Sequence, residues 1–246
     1  MREVLTAWAV SAAVLVLAAG VIGHEVGGSP FAVLIDRRGR YSLSQLQIVV
    51  WTLVVVSLLS GLMWGRLLTG SPDPLDIRIP DELLALLGVN VVSTVSAAAI
   101  KAGKDRHHPA KVAAGSAPRF AQVFMPEEGA GADSGIDAAK FQSFWVSVLL
   151  VVGYVALAAA TIGRAASVDQ LTALPAMSGT LVTLLGLSHA GYLAGKLPLA
   201  AGEPEGSTVA STQTEAREAK EAKAAAAPAT TRARSDRAKG SAQPAG

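Results

Sequence analysis

The 45–68 stretch carries one charged residue, Arg66, in a run otherwise dominated by Leu, Val, Ile, Trp and small side chains. No soluble fold hides so much apolar surface in one uninterrupted segment unless it sits at the centre of a large core. A run of about 20 apolar residues matches the thickness of a bilayer's hydrocarbon layer when helical. Similar runs occupy 4–22, 83–100, 141–162 and 177–197, the last carrying only Lys196 near its end. Charged residues make up 16% of the chain, against about 25% in soluble domains. The chain is therefore expected to be an all-α integral membrane protein with five transmembrane helices. Backbone groups in lipid must bond within their own segment, which favours helices.

Four of the five runs look like one hairpin written twice. The first copy starts SLSQLQ at 42–47, turns near Pro80, carries Leu86-Leu87-Gly88 and ends at Lys101. The second starts DAAKFQ at 137–142, turns near Pro175, carries Leu184-Leu185-Gly186 and ends at Lys196. Ser42 and Asp137, Gln47 and Gln142, Pro80 and Pro175, and Lys101 and Lys196 share one offset of 95 residues. The Leu-Leu-Gly element falls three residues later in the second copy. The expected organisation is thus a first transmembrane helix with its connector at 1–41, hairpin repeat 1 at 42–101, and a loop at 102–136. Hairpin repeat 2 follows at 137–198, then a tail at 199–246. Ser42 with Gln45 fits a capping box, and Asp137 fits an N-cap. Pro80 and Pro175 suit the first turn of the returning helices, where a missing N–H costs nothing.

Orientation follows from Lys and Arg, which favour cytoplasmic loops. Arg37, Arg38 and Arg40 precede the first hairpin, and Lys101, Lys104, Arg106, Lys111, Arg119 and Lys140 fall in the 101–140 segment. The tail is basic as well, while the two hairpin turns hold only Arg78 and Arg164. The N-terminus is expected outside and the C-terminus in the cytoplasm. Arg2 is offset by Glu3, and cleavage after the Ala18-Ala19-Gly20 run would leave the 37–40 bases outside, so the first run reads as a retained span rather than a signal peptide. The tail from 202 is rich in Ala, Glu, Lys, Ser and Pro and lacks aromatics, a composition expected to be disordered. Residues 31–35 are apolar but too short to span. A pI near 9.0 accompanies a net charge of only +2, with the bases confined to loops and tail, so nucleic acid is not an expected partner.

Chemistry-bearing residues are few. With no Cys there is no disulfide or thiolate. P-loop, nucleophile-elbow, zincin and dinucleotide fingerprints are absent, so no catalytic, cofactor-binding or metal residues are expected. His107-His108 offers too few ligands for a metal, and Glu127-Glu128 reads as a solvated acidic pair. The candidate site is an intramembrane polar one: Asn90 and Ser93 in the third run, and Ser188, His189 and Tyr192 in the fifth. Ionisable residues in a bilayer are costly and often functional, yet a neutral imidazole also serves as an interhelical hydrogen-bond donor. Gly191 and Gly195 have the spacing that lets helices approach closely, as do Ser93 and Ala97. Gln47 and Gln142 recur one repeat apart just inside the membrane edge.

The strings GRYSLSQLQ at 39–47 and LLGLSHAGYLAGK at 184–196 resemble those of a group of bacterial multi-span membrane proteins with no assigned activity. The similarity covers about 34–198 and implies a bacterial inner-membrane location. The expected role is non-enzymatic: an anchor or scaffold docking a cytoplasmic protein through the 102–136 loop and the tail. The alternative is a small channel or transporter subunit using the polar residues of the third and fifth runs. The lipid bilayer is one expected partner, and a second copy of the chain is another.

Overall fold

The computed structural model describes residues 1–107, 117–127 and 133–196, with the backbone alone at 105–107. The tail and His108 lie outside the described residues, as does the side chain of His107. Within them the chain forms five α-helices and no strands: α1 (Arg2–Gly27), α2 (Leu43–Leu68), α3 (Asp81–His107), α4 (Ala138–Arg164) and α5 (Gly179–Ala194). Helices α1 to α4 are long and apolar enough to cross a membrane. Their outward faces are apolar, with Val10, Leu17, Val56, Val92 and Leu149 all exposed. Water would not tolerate such a surface over this extent, whereas lipid is its natural solvent.

Local chemistry sets the helix ends. Gly28 adopts a left-handed φ of 71° and its N–H bonds the carbonyl of His24, closing α1; a side chain would be strained there. Asp137 caps α4 as expected, accepting from the N–H groups of Ala139 and Lys140. Ser42 does occupy the N-cap of α2, but its hydroxyl makes no capping bond and the Gln45 carbonyl oxygen is buried without a partner. The capping box is not formed. Pro80 stands just before α3, where its carbonyl accepts from the N–H groups of Leu83 and Leu84.

Pro175 does not restart a helix. The backbone before α5 is committed elsewhere: the N–H of Arg78 bonds Thr172 and the N–H of Leu174 bonds Arg78, a short parallel bridge between the two hairpin turns. Leu171, Leu174 and Met177 are buried from this extended segment. Helix α5 consequently starts at Gly179 and has 16 residues, about 24 Å of helix against about 30 Å of hydrocarbon.

The two turns interlock at one end of the bundle, hereafter the turn end. Arg66, at the end of α2, donates to the carbonyls of Asp73 (2.8 Å), Asp76 (3.2 Å) and Leu171 (3.2 Å). Ser71 Oγ donates to Asp169 Oδ1 at 2.9 Å. The guanidinium thus answers the carbonyls of two loops rather than any group in the bundle interior.

The α1–α2 contact is tighter than the sequence reading anticipated. A Cβ on Gly61 would stand 2.5 Å from the backbone of Trp8, and one on Gly65 would stand 2.6 Å from Val4. Trp8 Nε1 also donates to Ser57 Oγ at 3.1 Å. Ser57, Gly61 and Gly65 repeat at four-residue spacing, which lets the two backbones meet. Gly191, by contrast, has nothing within 4 Å of an added Cβ, and Gly195 meets only its own helix. The Gly191–Gly195 pair expected to pack helices does not do so within the described residues.

Candidate functional site

The other end of the bundle is built from charge. It begins in the 36–41 turn, where Gly39 takes φ of 71° and lets the chain reverse. Asp36 Oδ1 accepts from the N–H groups of Arg38 and Arg40. Its Oδ2 is thereby turned toward Lys101, 2.7 Å from Nζ. Lys101 lies near the end of α3. Its ammonium also meets Glu127 Oε2 at 2.8 Å.

Glu127 gathers two further lysines. Lys140 in the first turn of α4 and Lys196, just beyond α5, each place Nζ 2.8 Å from Oε1. Lys140 donates to the carbonyl of Met125 as well, at 2.8 Å. Three ammoniums from three helix ends therefore surround one carboxylate whose side chain is 8% exposed. Burial opposes the charge on Glu127, but Lys196, Lys140 and Lys101 together outweigh it and hold the carboxyl well below the usual carboxylate range. The expectation that Glu127 is a solvated surface acid is overturned, because the loop folds back onto the bundle and delivers it into the lysine cluster.

Arg40 fastens the same loop. Its guanidinium grips the Asp133 carboxylate through both nitrogens, at 2.9 and 2.7 Å, and donates to the carbonyl of Pro126 at 3.3 Å. Asp133 N–H bonds that same Pro126 carbonyl, and Asp137 N–H bonds the carbonyl of Phe124. Upstream, a 3-10 turn at Phe120–Phe124 buries Gln122 and Val123. Tyr41, Phe120, Phe124, Phe144 and Trp145 form a run of edge-on ring contacts beside it. Among the described residues, much of the segment expected to dock a cytoplasmic partner is thus packed onto the bundle.

Above this clasp lies a polar layer. Ser44 Oγ and Tyr192 OH are 3.0 Å apart, joining α2 to α5. Thr94 Oγ1 donates to the carbonyl of Ser44 at 3.3 Å, joining α3 to α2. Gln47 Nε2 donates to Ser147 Oγ at 2.7 Å and to Ser143 Oγ at 3.0 Å, joining α2 to α4. Gln142, its counterpart in the repeat reading, is exposed; the two amides do different jobs.

All five predicted site residues are buried, on α3 and α5, which pack together. Tyr192 finds Ser44. Asn90 Nδ2 donates to the carbonyl of Leu86 in its own helix at 2.9 Å, leaving Oδ1 without a partner. Ser93 Oγ, Ser188 Oγ and both ring nitrogens of His189 are likewise buried and unpartnered, as are Trp51 Nε1 and Tyr154 OH on the facing helices. No hydrogen bond joins the predicted residues to one another. At about 1.5 Å per residue, the polar groups from Ser44 through Asn90 fall within roughly 17 Å of the clasp. Beyond them Leu58, Leu62, Leu83, Leu86 and Ile162 fill the turn-end half. Among the described residues, no three His, Asp or Glu side chains assemble as a metal site.

What sequence reasoning missed is the clasp. Its signal was present: Lys101 and Lys196 are equivalent in the repeat reading, each at the expected end of a hairpin. Their shared partner, Glu127, lies in the loop between α3 and α4, outside both expected hairpins. Comparison with family models, with curated proteins and with solved structures finds no match for this chain.

Proposed function

We propose that this chain is a non-enzymatic bacterial inner-membrane protein, a five-span anchor whose clasp end faces the cytoplasm as a fixed platform for a protein partner. The observation that carries this reading is the convergence of Lys101, Lys140 and Lys196 on Glu127. Both hairpins and the loop between them are thereby joined into one surface. Breaking a buried ion cluster by removing one member costs several kcal/mol, so the surface is held rather than fluctuating. The turn end supports the same reading, since Arg66 and the paired backbones of Arg78, Thr172 and Leu174 tie its two loops together. The fifth span is α5 together with the extended 171–178 segment, in which the Thr172 carbonyl and the Leu174 N–H bond Arg78 of the neighbouring turn. In sequence, the tail supplies further Lys and Arg residues for such a partner. A pull-down from bacterial membranes should recover a cytoplasmic partner with the full chain and lose it when the chain is cut at Gly202. Equal recovery of the same partner by both would remove the tail from the proposal, and no partner with either would end it.

A second reading has its own observation. The unpartnered polar atoms of Asn90, Ser93, Ser188 and His189 supply donors and acceptors but no formal charge, which suits a small neutral solute entering from the clasp end. Solute flux into proteoliposomes that falls in the Asn90→Ala and His189→Ala proteins, both still folded, would favour a channel or transporter subunit over an anchor.

A further inference from the structure

The clasp has the form of an anion site. Lys101, Lys140 and Lys196 project from three helix ends, and each brings its ammonium to 2.8 Å from a Glu127 oxygen. The side chains at the site carry three positive charges against two negative, Glu127 and Asp36. Asp36 touches Lys101 alone among the three, so Glu127 is the carboxylate that Lys140 and Lys196 share. The lysines belong to the helical frame, whereas the carboxylate comes from a loop. The site is thus formed by one part of the molecule and occupied by another. Lysine ammoniums are compact point charges that suit a small multivalent oxyanion approached from several sides.

The surroundings indicate which anion is near. Phe120, Phe141 and Trp145 are about half exposed on the lipid-facing side of the same end and form a chain of ring contacts through Phe124 and Phe144. Aromatic side chains of this kind favour the headgroup level. That depth is where lipid phosphates lie.

We propose that the lysine triad is a binding site for a phosphate-class anion, with Glu127 as its built-in occupant. A phosphate monoester on a lipid headgroup, or free phosphate, competes with the Glu127 carboxylate for the three ammoniums and releases residues 125–127 from the bundle. The proposal does not depend on any docking partner of the platform.

The test uses the full chain reconstituted in phosphatidylcholine vesicles, with and without phosphatidic acid, and with inorganic phosphate at constant ionic strength. Binding is read from thermal stability, and loop release from hydrogen exchange at residues 120–127. Removing the internal competitor in Glu127→Gln should tighten phosphate-class binding by about tenfold or more, because the wild-type site is mostly occupied. Wild-type protein should show faster exchange in that segment when the ligand is added. Lys140→Met in the Glu127→Gln background should abolish the gain. A response to phosphatidic acid alone identifies a lipid as the source, and a response to both identifies phosphate itself. Should Glu127→Gln fold only with the anion present, that dependence supports the proposal; should it not fold at all, Glu127→Asp, shorter by one methylene, takes its place with the same expected direction. Affinity no tighter than wild type in the folded variant, or a gain that survives loss of Lys140, overturns it.

Discussion

Single side chains in this bundle do work that their neighbours in sequence do not foretell. Ser44 and Tyr192 lie far apart in the chain yet share one hydrogen bond of 3.0 Å. Interhelical bonds of this type average about 0.6 kcal/mol in membrane proteins. Ser44→Ala and Tyr192→Phe should each cost about that much, and the double variant should cost little more than either alone. Unfolding in graded denaturant would read the cycle, and simple additivity would argue that the bond contributes nothing. Glu127 makes a prediction in pH. Its folded-state carboxyl is held well below the ordinary value of 4.5 by three lysines. The group therefore contributes stability that is fully present above that unfolded value and is lost as pH falls through the folded one. Thermal stability of the wild type should fall below about pH 4.5 more steeply than that of Glu127→Gln. Parallel profiles for the two proteins would contradict the clasp.

Among the elements, α2 and α5 separate what spacing predicts from what packing uses. Both the 57–65 and the 191–195 stretches carry small residues four apart, and sequence alone does not rank them. The difference lies in what faces them: Trp8 and Val4 press against Gly61 and Gly65, while Gly191 is open. Gly61→Ala should destabilise the α1–α2 contact by about 1–3 kcal/mol, whereas Gly191→Ala should stay within about 0.5 kcal/mol of wild type. Resistance of α1 to limited proteolysis, measured alongside the melting temperature, would check the pair; equal effects at both sites would show that the crossing is misplaced. The short α5 teaches a related lesson. Its apolar run extends back to Met177 in sequence, but Arg78 takes the backbone bonds of 172–174, and a segment paired that way cannot also be helix.

For the whole molecule, the question is which end faces which compartment. Leu75 in the first turn and Ile136 beside the clasp are 75% and 71% exposed, and the chain has no cysteine of its own. Leu75→Cys and Ile136→Cys are therefore clean reporters for a membrane-impermeant thiol reagent. In intact cells Leu75→Cys should label and Ile136→Cys should label only after permeabilisation. Labelling of both from the same side would break the proposed topology, and the reverse pattern would invert it. The core adds an asymmetry to that orientation: the buried polar side chains Ser44, Gln47, Asn90, Ser93, Ser188 and His189 lie in the half next to the clasp, whereas Leu58, Leu62, Leu83, Leu86 and Ile162 fill the half next to the turns.

Much of this was legible in the residues themselves. Helix content, the apolar exterior, the cap at Asp137 and the burial of Asn90, Ser93, Ser188, His189 and Tyr192 all follow from runs, caps and the cost of exposing polar groups to lipid. Those are local properties, and a linear chain displays them. The clasp, the α1–α2 crossing and the start of α5 were decided by tertiary structure. Each depends on what lies opposite: three ammoniums around Glu127, Trp8 against Gly61, Thr172 against Arg78. A buried carboxylate and a solvated one have the same sequence, and only the position of the lysines distinguishes them.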